Sequence, residues 1–97
     1  MNVEQLEHEL NLRKGTLVMV VRPGYGTQSE SWVGTLSVTH KDCPMIFQVQ
    51  SERGATIFRG DDVVSVEDIS NHEEQHAPQL LIRLKGPNDY MRQTVTA

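Results

Sequence analysis

The sequence predicts a small, soluble, mainly-β domain: five short strands forming a small barrel, a short helix before them and a β extension after them. Three observations predict this. A chain of 97 residues is long enough for one core and too short for two domains. Between Gly15 and Glu67 the apolar residues recur in short runs with strand period, and turn formers interrupt them at regular intervals. Finally, 37% apolar and 23% charged residues describe a globular chain and exclude a disordered one.

The helix comes first. Val3, Leu6 and Leu10 are spaced i, i+3 and i+7, so residues 2–12 carry one apolar face, with Glu4, Glu7 and Glu9 on the remainder. Arg13 and Lys14 suit the negative end of the helix dipole, and Gly15 supplies a stop. A helix this short is marginal in water, so it is expected to pack across an open end of the barrel.

The five strands follow. Leu17–Val21 is an unbroken apolar run, the pattern of a strand buried on both faces. Residues 22–30 are rich in turn formers and read as a loop. Trp32, Leu36 and Val38 alternate with Val33, Thr35, Ser37 and Thr39 in the second strand, where Gly34 marks a bend or bulge. After a turn at 40–44, Met45, Phe47 and Val49 form the third strand; Ala55–Arg59 is the fourth, beyond a Gly-containing connection at 51–54. A tight polar turn, Gly60-Asp61-Asp62, leads to the fifth, Val63–Val66.

Gly15-x-x-Val18-x-Val20, a long loop, Trp32-x-Gly34-x-Leu36, Phe47-x-Val49, Gly54-x-x-x-Phe58 and Asp62-Val63-Val64-x-Val66 together resemble the SH3-like small-barrel superfamily, which includes KOW and Tudor-type modules. The first strand pair is closest to a KOW module. The resemblance rests on glycines and apolar positions, so it implies a fold and leaves function open. The chain then divides into an N-terminal helix (1–14), an SH3-like barrel (15–67), an acidic linker (68–79) and a C-terminal β extension (80–97). In the extension, Leu80–Leu84 is too apolar for a free tail, and residues 90–96 could pair back on it as a hairpin.

Composition narrows function more than any motif does. A net charge of −4 disfavours general phosphate binding, which depends on Lys and Arg. A single cysteine, Cys43, excludes an internal disulfide and a multi-cysteine zinc site. Neither a signal peptide nor an apolar run of about 20 residues is present, so a cytoplasmic location is the expectation.

His72-Glu73-Glu74-Gln75-His76 matches the zinc-protease pattern, in which two histidines at i and i+4 share a helical face. Its surroundings are polar, Glu74 puts a charge inside the motif, and Pro78 ends any helix soon after His76. Downstream, Asp89 is the only carboxylate side chain available as a third ligand. His72 and His76 are therefore weak metal candidates in a solvated segment, and no cofactor is expected. No G-x-S-x-G or dinucleotide fingerprint occurs, and the chain reads as a non-enzyme.

What remains is binding. The resemblance implies a ligand surface on the first loop and neighbouring strand ends, which here means Arg22, Tyr25 and Trp32, joined by Arg53 and Arg59. Trp beside Arg anchors protein partners and also stacks on single-stranded bases. Five aromatics, with Phe47 and Phe58 committed to a core, are too few for a methyl-lysine cage. The leading expectation is a small protein-interaction module or accessory subunit, bound to a protein partner or to itself as an oligomer. The alternative is a KOW-like nucleic-acid or ribosome-associated module. That reading requires Arg13, Lys14, Arg22, Lys41, Arg53 and Arg59 to converge on one face.

Overall fold

A computed structural model describes residues 3–24, 29–42, 44–70 and 77–86. Tyr25, Cys43, His72, His76 and the expected hairpin partner at 90–96 lie outside the described residues. The elements are helix α1 (Val3–Leu12) and strands β1 (Leu17–Pro23), β2 (Ser29–His40), β3 (Ile46–Ser51), β4 (Gly54–Arg59), β5 (Val63–Asp68) and β6 (Leu80–Leu84), with a 3-10 turn at Gly60–Asp62.

α1 turns its Leu6–Leu10 side to the core, and Leu10 is fully buried. Val3 belongs to the predicted apolar face, yet it is 40% exposed, and the buried set is Leu6, Glu7 and Leu10. The helix ends as expected: Gly15 adopts φ +86°, a left-handed conformation open to glycine, and its amide donates to Leu36 O at 2.7 Å.

The strands form one mixed sheet in the order β4-β3-β2-β1-β6-β5. This corrects the five-stranded barrel: among the described residues the sheet has six strands and does not close. β6 enters between β1 and β5, parallel to β1 and antiparallel to β5, which leaves β4 and β5 as edges. The reason is its alternation. Leu80, Ile82 and Leu84 are at most 4% exposed on the core face, and an interior position also pairs the backbone on both sides.

β2 is shared between two partners. Residues 29–35 pair with β1 and residues 35–40 with β3. Gly34 sits at the changeover, where a Cβ would collide with the Gln50 carbonyl oxygen. It permits a close crossing of β2 and β3; the register shift in β2 lies further on, between Val38 and His40. The resulting coil brings Val18, Val20, Leu36, Phe47, Val49, Phe58 and Ile82 into one core with Leu6 and Leu10. Phe47 and Phe58 stack at 5.5 Å between ring centroids.

Two strand-level expectations need correction. β1 is buried on one face only: Val18 and Val20 are inaccessible, while Leu17, Met19 and Val21 are half-buried on the outer face. Glu67 and Asp68 close β5. The segment after them is the connection between β5 and β6, held where Ile69 N donates to Gln79 O at 3.0 Å and Gln79 N donates to Leu17 O at 2.8 Å.

Candidate functional site

Strand alternation places Val18, Val20 and Arg22 on the core side of β1, and the register sets Val20 against Trp32 and Arg22 against Glu30. Arg22 is therefore the first polar residue where that apolar file runs out, at one mouth of the coiled sheet. Its Nη2 donates to Ile57 O on β4 at 3.1 Å. β2 and β3 separate β1 from β4 in the sheet order, so this bond bridges the curl of the sheet.

Trp32 packs against the core beside Arg22 and keeps part of its ring accessible. Arg53, in the turn between β3 and β4, lies over that ring with its guanidinium carbon 5.1 Å from the centroid, and it also donates to Ser31 O. Such a stack is worth about 0.5–1 kcal/mol at an exposed site. Gly54, at φ +135°, follows Arg53 and allows the turn that delivers it. Beside the stack lies an open concavity of ≈ 620 Å³, with Leu17, Val33, Gly34, Gln50 and Glu52 among its walls and Arg53 at its rim.

Of the predicted binding residues, Trp32 and Arg53 thus stack, and Arg22 is a diagonal neighbour of Trp32 by register, its guanidinium reaching Ile57, four residues along β4 from Arg53. Arg59 does not join them. It stands six residues along β4 from Arg53, about 20 Å at strand rise, and its Nη2 pairs with Asp61 Oδ2 at 2.8 Å. The other cations are dispersed. Arg13 lies 3.8 Å from Asp68. Lys41 follows β2 ten residues beyond Ser31, about 33 Å along the extended chain. Among the described residues no group of three or more His, Cys, Asp or Glu side chains is placed to hold a metal ion.

Glu7 is the residue that sequence reasoning misplaced. It was expected on the polar side of α1, but it is only 3% exposed. Its Oε2 accepts from Met45 N at 2.6 Å, and its side chain lies against Gly60 closely enough that a Cβ there would come within 2.5 Å of Glu7 Cγ. The signal was available: a residue directly after Leu6 and three before Leu10 flanks the apolar stripe. What the helix alone could not supply was the orphan amide that the carboxylate satisfies. A second concavity of ≈ 360 Å³ opens beside it, lined by Glu4, His8, Asn11 and Lys41.

No protein-family model matches this chain, and searches of curated proteins and of solved structures find no match either.

Proposed function

We propose that this chain is a non-enzymatic protein-interaction module or small accessory subunit, and that a protein partner docks at the mouth formed by Arg22, Trp32 and Arg53. One observation carries the reading. The chain's single tryptophan is packed against the end of the core with part of its ring accessible, a stacked arginine lies over it, and a second arginine is its diagonal neighbour in the strand register. A rigid aromatic anchor beside guanidinium groups loses little entropy on binding, which is the composition of an interface hot spot. The SH3-like reading of the fold is supported by β2 passing between two partners at Gly34 and by the 3-10 turn ahead of β5.

The scatter of Arg13, Lys41 and Arg59 away from this mouth supports a protein partner over a phosphate backbone, as does the net charge of −4. The test compares binding partners captured by the wild type, Trp32→Ala, Arg53→Ala and Arg59→Ala. Partners lost with the first two and kept by the third are expected. If all four capture the same set, the site is wrong. Titration with a mixed-sequence oligonucleotide, followed by Trp32 fluorescence, supplies the second arm. A salt-dependent quench there would favour the KOW-like alternative.

A further inference from the structure

The outer face of the sheet is unusual. Strand register sets Met19 beside Val33 on one side and beside Leu81 on the other, with Leu17 and Val21 above and below it on β1. These five residues form one continuous apolar block on the side away from α1, which packs on the core side. Val33 is 43% exposed, and the rest are half-buried. Ordinary outer faces of antiparallel sheets alternate to polar residues, whereas β1 is apolar on both faces.

Two charges border the block. Arg83 is paired across β6–β1 with Val21, and Glu67 across β5–β6 with Leu81. They are diagonal neighbours on this same face, and neither takes part in an ion pair among the described residues. The sheet edges offer less to a partner. Arg22 already occupies Ile57 O on β4, and β5 carries a register shift between Val63 and Ser65 followed by Glu67 and Asp68.

We infer that this face is a homodimer interface, covered by a second copy of the chain. The pattern is self-complementary. Place strands ~4.8 Å apart and same-face residues ~6.8 Å apart along each strand. A two-fold axis lying in the face and running diagonally between Met19 and Leu81 then sets Leu17 on the copy's Val33 and Arg83 on the copy's Glu67. Met19 and Leu81 meet their own equivalents. Every apolar residue of the block except Val21 finds an apolar partner, and both free charges find an opposite one, as an isologous interface requires. The strands of the two copies cross steeply, nearer the orthogonal than the aligned class of sheet packing. The block shares Leu17 and Val33 with the concavity beside the Trp32–Arg53 stack, so the two surfaces adjoin, but the dimer contacts use neither Trp32 nor Arg53.

Sedimentation equilibrium of the full chain tests it. The wild type is expected at twice 11.0 kDa, dissociating on dilution. Arg83→Glu and Glu67→Arg should each weaken the dimer by about tenfold, and the two together should restore it to within about threefold, because only the reversed pair recreates the contact. Met19→Glu should give a monomer whose circular dichroism matches the wild type. A wild type that stays monomeric overturns the inference, and so does a dimer in which the two charge reversals fail to rescue one another.

Discussion

Glu7 and Gly60 should be coupled with a change of sign. In the wild type, Gly60→Ala places a Cβ within 2.5 Å of Glu7 Cγ and within 2.9 Å of its Oε2. Glu7 cannot swing away freely, because it is 3% exposed and its carboxylate accepts from Met45 N at 2.6 Å. Overpacking of this kind costs about 1–3 kcal/mol. Glu7→Ala removes the obstruction but leaves Met45 N without that acceptor, again about 1–3 kcal/mol. In the Glu7→Ala background the added methyl has room. Gly60 does not have a positive φ, so alanine fits its backbone and restricts the unfolded chain, a gain of about 0.4–1 kcal/mol. Gly60→Ala should therefore destabilise the wild type and stabilise the Glu7→Ala variant. The four proteins are compared by urea unfolding, with Trp32 fluorescence and circular dichroism as probes. For a domain of this size each 1 kcal/mol moves Tm by about 4–8 °C, so the sign change is readable by heating as well. Additivity of the two substitutions within about 0.5 kcal/mol would refute the packing described here.

Gly34→Ala should be among the most damaging single-methyl additions, costing about 3 kcal/mol or more, since the obstacle is the Gln50 backbone and not a side chain that can rotate; urea unfolding that shows a loss under about 1 kcal/mol would contradict the close crossing of β2 and β3. Ending the chain at Gln79 should abolish cooperative unfolding, because it removes Leu80, Ile82 and Leu84 from the core and leaves the inner edges of β1 and β5 unpaired; a truncated chain that melts as sharply as the full one would show that β6 is dispensable.

Much of the fold was legible in local pattern. The helix, its glycine stop, five of the strands and the core roles of Phe47 and Phe58 follow from periodicity and turn chemistry, which act over a few neighbouring residues. Gly34 was legible as an anomaly within a strand, though its role as the changeover between two partners was not. The candidate site was half legible. Trp32 and Arg53 were picked out by residue type, but only the turn at Gly54 brings Arg53 over the ring, and only the curl of the sheet lets Arg22 reach β4. Arg59, equally attractive by type, pairs with Asp61 instead.

By itself, then, the sequence determined most element types, the core roles of Phe47 and Phe58 and the exclusion of an internal disulfide, because each depends on side-chain chemistry and short-range spacing. Only the tertiary structure decided that β6 lies between β1 and β5, that Glu7 is buried, and that one face of β1 stays partly open. These are contacts between residues far apart in the chain. Leu80–Leu84 carries the alternation of a strand wherever it pairs, and nothing local distinguishes a terminal hairpin from an insertion beside β1. That choice belongs to the whole sheet, which buries three more side chains and pairs two more strand edges when β6 takes the inner place.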